Sequence, residues 1–218
     1  MGGTLRFPLA DAEALANEVL ALLEPACERI VVAGSIRRRK ETIGDIEIVA
    51  IPNTREQLAV LDLFGEPLAS MNVPDPLMNR CGALLAEGVL DYRLNKDGRR
   101  SYGPALKLLT YNHFALDVFS ATPETWAVTL LIRTGPAYFS HRLATPKNQT
   151  AVRRDGGPSL YGLLPGHIQL KDWRYAHRGT GEPYDTLEEG DVFTLLGYEW
   201  LSPEERTDDA TPKALVLA

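Results

Sequence analysis

The stretch at residues 31–51, VVAGSIRRRKETIGDIEIVAI, constrains the fold most, because two apolar strands in it flank a glycine turn and a basic run. Asp45 and Glu47 alternate with apolar residues on the second strand. Side chains two residues apart on a strand point to the same face, so these two carboxylates can converge. Two carboxylates on one strand suit Mg²⁺, a hard ion that takes oxygen ligands. The residues expected to pack behind them are Ile46, Ile48 and Val49.

The turn before the basic run has the features of a phosphate-binding loop. Gly34 lets the backbone approach a ligand closely, and Ser35 adds a hydroxyl donor beside free amide groups. Four basic residues follow at 37–40, and a guanidinium matches the geometry of phosphate oxygens. We therefore expect at least one of them to face a triphosphate. The alternative interpretation is a hairpin-like connection with a solvated basic tip and two carboxylates that face water.

The whole pattern G-S-x-R-R-x(5)-G-D-x-E, which runs from Gly34 to Glu47, resembles the nucleotidyltransferase superfamily and within it the family X DNA polymerases. Motifs in the family order follow downstream: HFALDVF with Asp117, IRTGPAYFSHRL with the Thr134-Gly135 pair, GHIQLKDW, and DVFTLLGYEWLSPEER. The similarity covers roughly residues 7–206, and residues 55–105 contribute little to it.

The resemblance implies an α+β fold. It predicts a nucleotidyltransferase palm at residues 1–121, with a mixed or antiparallel sheet and flanking helices. A small α+β thumb, including its linking helix, would occupy residues 122–218. This palm-plus-thumb form is similar in extent to the short viral member of the family, and we expect it to lack a lyase domain.

The resemblance also implies a chemistry. Asp45, Glu47 and Asp117 would be the catalytic residues and would hold two Mg²⁺ ions, for which Mn²⁺ can substitute. Asp117 would accept the proton of the attacking hydroxyl. The nucleotide would be bound by residues of the loop and of the later Thr-Gly pair. These residues are Gly34, Ser35, Arg38, Gly44, Thr134 and Gly135.

The implied function is a DNA-directed DNA polymerase that adds nucleotides from deoxynucleoside triphosphates to a DNA 3′-hydroxyl, as in short-gap filling during repair. A second hypothesis is a template-independent enzyme or one that acts on another hydroxyl, in RNA, a small molecule or a protein. A third hypothesis, from another class, is a catalytically inactive nucleic-acid or nucleotide-binding module. The intact set of three acids favours an enzyme over that module.

Several positions depart from the family pattern. Ile132 and Arg133 replace two aromatic residues that discriminate against ribose. Pro136 and Ala137 replace a Ser-Asp pair, and Ala115 stands where an arginine is often found two residues before the third carboxylate. These departures bear on sugar selection, on contacts with the base edge and on templating, and they leave the three acids unchanged.

The net charge of −6 does not favour nucleic-acid binding, because contacts to phosphates normally supply most of the non-specific affinity. The basic residues are clustered, however, so a basic groove on an acidic body is predicted. The alternative is that each cluster is a solvated face. The candidate DNA contacts are Arg142, Lys147, Arg153, Arg154, Lys171 and Arg174.

Length and composition are compatible with this function but do not select it. The chain has 218 residues, of which 44% are apolar, enough for a substantial core. It has no apolar run of about 20 residues that could span a membrane and no signal-peptide pattern at its start. We therefore expect a cytoplasmic protein. We also expect a monomer, with an accessory protein as an optional partner. Cys27 and Cys81 are expected to be reduced thiols.

Local patterns predict the helices. One begins at Pro8 and ends near Pro25, because apolar residues recur there at helical spacing. Thr186 and Glu189 are predicted to form a capping box for the last helix, which should stop at Gly197. Further helices are predicted at residues 54–64 and 77–87 and from Thr122 or Pro123 through Leu131. The predicted thumb core consists of Val192, Phe193, Leu195, Leu196 and Trp200.

Overall fold

The computed structural model describes residues 6–53, 75–153 and 156–216. The strands are β1 (Phe7–Pro8), β2 (Cys27–Val32), β3 (Thr42–Ile43), β4 (Ile46–Pro52), β5 (Leu90–Tyr92), β6 (Leu106–Tyr111), β7 (Phe114–Ser120), β8 (Ile168–Lys171) and β9 (Arg174–His177). The α-helices are α1 (Leu9–Leu23), α2 (Gly34–Arg37), α3 (Pro76–Ala86), α4 (Trp126–Thr134), α5 (Ala137–Ala144) and α6 (Glu189–Leu196). Short 3₁₀ turns lie at Glu24–Ala26 and Pro203–Glu205.

The central element is a five-stranded sheet with the order β2-β4-β7-β6-β5. β4 and β7 run parallel, and the other neighbours are antiparallel. The chain is therefore α+β, with a mixed sheet and flanking helices, as the sequence predicted. The parallel pair places Glu47 directly opposite Asp117.

The two faces of this sheet differ in what they bury. Ile46 and Ile48 point into a large apolar cluster with α1 and α3. Val49 belongs to a different cluster on the opposite face, together with Phe119 and Trp126. The prediction that Val49 packs behind the acids is therefore wrong, because it is two residues from Glu47 and the period of a strand puts it on the same face.

A separate apolar cluster forms in the second half of the chain. It combines residues of α4, α5 and α6 with residues of the β8–β9 hairpin, such as Phe139, Tyr175 and Phe193. Helix α4 contributes to two clusters, since Trp126 packs against the sheet and Val128 faces this second cluster. The proposed division near residue 121 falls in the connection between β7 and α4, and the assignment as palm and thumb stays a prediction.

Two predicted helix starts are wrong. Helix α4 begins at Trp126, because the backbone N–H of Thr122 donates to Thr125 Oγ1 at 2.8 Å in a preceding turn. Helix α6 begins at Glu189, where the Asp191 carboxylate accepts from the backbone N–H of Glu188 at 2.8 Å. The capping box predicted for Thr186 is not formed.

The other predicted helices agree more closely. Helix α1 starts one residue after Pro8, and α3 is capped by the Asp75 carboxylate, which accepts from Leu77 N–H at 2.9 Å. Gly197 ends α6 in the left-handed conformation, as predicted. The predicted helix at 54–64 lies outside the described residues. Trp200 is not a core residue, since 53% of it is exposed.

No helix within residues 6–53, 75–153 and 156–216 has the length and apolar character needed to cross a bilayer.

Candidate active site

The loop after β2 lies directly against a carboxylate on β4. The backbone N–H of Ala33 donates to the Glu47 carbonyl at 2.7 Å, which fixes the end of β2. Gly34 then turns into α2 with a φ of 64°. A Cβ added to Gly34 would lie 2.0 Å from Glu47 Oε2, so any larger residue at this position would displace the carboxylate. The glycine that the sequence assigned to a phosphate loop thus also accommodates an acid of the candidate metal site.

Three carboxylates influence one another at this point. Burial, followed by repulsion from Asp45 and Asp117, raises the pKa of Glu47 from 4.5 to about 8. Burial also raises the pKa of Asp117, and Asp45 adds to the effect. Each shift arises because a charged carboxylate is unfavourable in a poorly solvated site next to other negative charge. The three acids of the motif are therefore brought into one electrostatic group.

Three arginines oppose this negative charge. Arg93, just after β5, donates from Nη2 to Asp117 Oδ1, and the two side chains are 31% and 17% exposed. Arg133 and Arg38 both act on Glu47, and burial lowers the pKa of each guanidinium. Arg93 was missed in the sequence analysis, because its contact with Asp117 crosses the sheet from β5 over β6 and leaves no local signal.

A cavity of about 550 Å³ opens beside Glu47. It is lined by Arg38 and Gly135, which were predicted to bind the nucleotide, and by Arg133 and Trp173, which were not. The volume is within the range of about 300–1,000 Å³ typical of ligand pockets.

Thr134 is completely buried and takes a different place from the one predicted. Its hydroxyl accepts from Arg37 Nη1 at 2.7 Å, and its carbonyl accepts from Arg38 Nη1. Thr134 therefore positions Arg37 and Arg38 without lining the cavity itself, whereas its neighbour Gly135 lines the cavity. Ser35 and Gly44 are half-buried on the two sides of the loop.

Two arginines of the basic run at residues 37–40 have different contacts. Arg37 forms a bidentate pair with Glu189 of α6, with N–O distances of 2.8 and 2.7 Å, and Arg206 binds the same carboxylate at 2.8 Å. Arg206 is 0% exposed and the Glu189 side chain 6%. Arg37 is thus occupied by an ion pair to α6, and Arg38 is the member of the run that lines the cavity beside Glu47.

The candidate DNA contacts occupy varied environments. Arg142 is 3% exposed and donates to the carbonyls of Tyr161 and Ala210. Its guanidinium is used inside the protein, which contradicts its prediction as a DNA contact.

The remaining candidates lie nearer the surface. Arg153 pairs with Asp209 and lies over Tyr138, 4.8 Å from the ring centroid. Lys147 and Lys171 are exposed, and Arg174 is half-buried. Arg154 lies outside the described residues.

The donor set fits a hard divalent cation, because all three acids offer carboxylate oxygens, and burial followed by their mutual repulsion raises the pKa of Glu47. A bound cation would relieve this repulsion. Among the residues that the structure describes, no group of three His, Cys, Asp or Glu side chains is close enough together to hold a metal ion. Asp117 is instead engaged by Arg93.

No family model matches the chain. Over 178 residues the chain is 26% identical to DNA polymerase lambda of Rattus norvegicus, and this alignment covers 81% of the chain. The chain spans 28% of the length of that polymerase. The sequence motifs, the mixed sheet and the grouped acids thus occur in a chain that is similar to a DNA polymerase of family X.

Proposed function

We propose that the protein is a nucleotidyltransferase that uses nucleoside triphosphates and a DNA 3′-hydroxyl. The observation that carries this proposal is the contact between the Gly34 turn and Glu47, which stands opposite Asp117 on the neighbouring strand. This contact supports the proposal, because donors suited to phosphates would then lie beside carboxylates suited to a cation. The similarity to DNA polymerase lambda supports DNA as the acceptor.

Asp45, Glu47 and Asp117 are proposed to hold Mg²⁺ or Mn²⁺. When bound, such ions lower the pKa of an attacking hydroxyl and neutralise charge on a triphosphate. Asp117 Oδ1 accepts from Arg93, and we assign Oδ2 as the atom that takes the hydroxyl proton.

The phosphates are proposed to lie between the Gly34 turn and Arg38. Backbone amides, the Ser35 hydroxyl and the Arg38 guanidinium would supply donors there, and Gly44, just before β4, adds no side chain. Thr134 positions Arg38 through its carbonyl. Gly135 borders the same cavity and offers no side chain to obstruct the nucleotide.

The finer assignment is a palm at 1–121 and a thumb at 122–218 in a polymerase that fills short gaps. DNA would contact Lys147, Lys171 and Arg174, whose side chains are at or near the surface. The internal position of Arg142 and the pairing of Arg153 reduce the basic surface that the sequence predicted.

That reduced basic surface favours a second candidate, a nucleotidyltransferase that acts without a template or on a hydroxyl outside DNA. The net charge of −6 supports it as well, because a body of this charge repels a long polyanion unless a basic groove compensates. The acids and the phosphate loop would have the same roles.

Primer extension with Mg²⁺ or Mn²⁺ tests the proposal, using each deoxynucleotide and ribonucleotide separately on single-stranded, recessed and one-nucleotide-gapped DNA. We expect template-matched addition at the gap and its loss in Asp117→Ala, with the melting temperature retained. Addition that ignores the template would select the second candidate. Activity retained in Asp117→Ala would reject the assignment of the site, and no addition to any DNA would reject DNA as the acceptor.

A further inference from the structure

Trp173 occupies an unusual backbone position at the tip of the β8–β9 hairpin. Asp172 and Trp173 form the two-residue turn between the paired residues Lys171 and Arg174, and both have positive φ, 50° and 59°. Turns of this kind normally use Asn and Gly, because a bulky side chain at positive φ is strained. Strain of this sort persists mainly where a side chain has a function. The hairpin thus presents an indole at a cost in backbone energy.

The indole contacts an arginine of the candidate active site. The Arg133 guanidinium lies 4.8 Å from the Trp173 ring centroid and 3.9 Å from that of Phe119. Arg133 in turn acts on Glu47 and Asp117. Trp173 is 42% exposed even with this contact. The ring is therefore held beside the acids while much of its surface stays available to a ligand.

Trp173 also borders the 550 Å³ cavity that contains Glu47 and Arg38. The cavity combines a cationic, phosphate-compatible part with an aromatic wall. The Ser140 hydroxyl that lines it is already engaged, because its Oγ donates to the Ile132 carbonyl at 2.9 Å, and His141 Nδ1 lies 3.2 Å from the Val152 carbonyl. The cavity therefore offers a stacking surface and few groups that could distinguish one base edge from another.

We propose that Trp173 stacks on the base of the bound nucleoside triphosphate and contributes to its affinity for all four bases. This inference rests on the proposed function. It adds a contact to the base, whereas the proposed function assigns contacts only to the phosphates and the cation. Stacking on an aromatic side chain tolerates any base, since every base has a π face. Arg133 is the positioning residue that holds the indole.

The test compares nucleoside triphosphates with tripolyphosphate, which has the phosphates and no base, by isothermal titration with Mg²⁺ and without DNA. Trp173→Ala weakens the binding of each of dATP, dGTP, dCTP and dTTP about tenfold, within the range for loss of one stacked base. Tripolyphosphate affinity changes less than about twofold, which is under about 0.4 kcal/mol. Trp173→Phe restores most of the loss. Trp200→Ala, at another exposed tryptophan, leaves all five affinities unchanged.

Two results overturn the stacking role. Unchanged nucleotide affinity in Trp173→Ala shows that the indole does not touch the base. Equal losses for nucleotides and tripolyphosphate, in a variant that keeps its melting temperature, show that Trp173 only supports the cavity. If the wild-type protein binds neither ligand, the proposed function fails first and the stacking role with it.

Discussion

Two largely buried glutamates, Glu189 and Glu47, have pKa values shifted in opposite directions. Each lies near an arginine of the loop after β2, Arg37 for Glu189 and Arg38 for Glu47. Glu189 is surrounded by two arginines, Arg37 and Arg206, that bind both of its oxygens. Glu47 lies with two other carboxylates. Burial alone would raise the pKa of both glutamates. Hydrogen bonds from the arginines nevertheless hold the pKa of Glu189 below its usual value, whereas repulsion raises that of Glu47 further.

The difference separates a structural ion-pair network from a candidate functional site. The Glu189 network joins the loop after β2 to α6, and two guanidinium groups within the protein compensate the negative charge of Glu189. The Glu47 group carries negative charge that Arg38 and Arg133 oppose without removing the rise in pKa. Perturbed groups beside a cavity are typical of functional sites.

Removal of Glu189 should have the largest effect on stability. Glu189→Ala leaves the completely buried Arg206 without its partner, and breaking a buried ion pair from one side costs about 3–5 kcal/mol. Urea unfolding at neutral pH measures the loss. A loss below about 1 kcal/mol would show that the network does not stabilise the junction with α6.

The pH dependence of stability should distinguish the two glutamates. The pKa of Glu47 is raised in the folded state, so its contribution is fully present below about pH 4.5 and is lost as pH rises towards about 8. The pKa of Glu189 is lowered, so its contribution is lost as pH falls below about 4.5.

Glu47→Gln isolates the first of these contributions. In metal-free buffer, the wild type should lose stability relative to this variant between about pH 5 and 8, by about 1.4 kcal/mol for each unit of pKa shift. Asp45, Asp117, Arg38 and Arg133 face this group and remain in both proteins. Urea titrations at several pH values give the difference, and parallel curves for the two proteins would contradict the raised pKa.

A matched pair of glycine substitutions tests the contact at Glu47. Gly34→Ala and Gly88→Ala both place alanine at positive φ, 64° and 72°, which costs about 1–2 kcal/mol. Only the first brings a Cβ against Glu47, since nothing lies within 4 Å of the second. The two variants should lose similar amounts of stability, because the Glu47 carboxylate can move away from the added Cβ. Only Gly34→Ala should lose nucleotide transfer. Wild-type nucleotide transfer by Gly34→Ala would show that the Gly34 loop does not take part in the reaction.

The exposed pair between Arg29 and Glu188 should have the smallest effect. The N–O distance is 2.6 Å, but the side chains are 43% and 56% exposed. Exposed pairs contribute about 0–1 kcal/mol, so Glu188→Gln should change the unfolding free energy by less than about 1 kcal/mol. A loss of unfolding free energy close to that of Glu189→Ala would mean that burial does not determine how much these two adjacent glutamates contribute to stability.

Local patterns were sufficient to predict much of the fold and the neighbourhood of the acids. The alternation around Glu47 predicted the strand that the structure shows as β4, and apolar spacing after Pro8 predicted α1. Order along the chain, through the resemblance, pointed to Asp117, which the parallel pairing places opposite Glu47.

Features that depend on distant contacts could not be read from local patterns. Arg142 looks like a surface cation in sequence, yet it is buried because backbone carbonyls from two later segments accept its donors. Glu189 fits a capping box locally, but arginines 152 residues before it and 17 residues after it bind it instead. Arg93 and Trp173 likewise join the site only through tertiary packing.

Binding of Mn²⁺, followed by the loss of the free-ion electron paramagnetic resonance signal, tests most directly whether the acids form a cation site. We predict saturable binding by the wild type at pH 7.5 in the presence of a nucleoside triphosphate, beyond what the nucleotide alone binds. Glu47→Gln and Asp117→Asn should each weaken it at least about tenfold, or about 1.4 kcal/mol, without loss of folding. Binding that is absent from the wild type, or equal in all three proteins, would contradict the account.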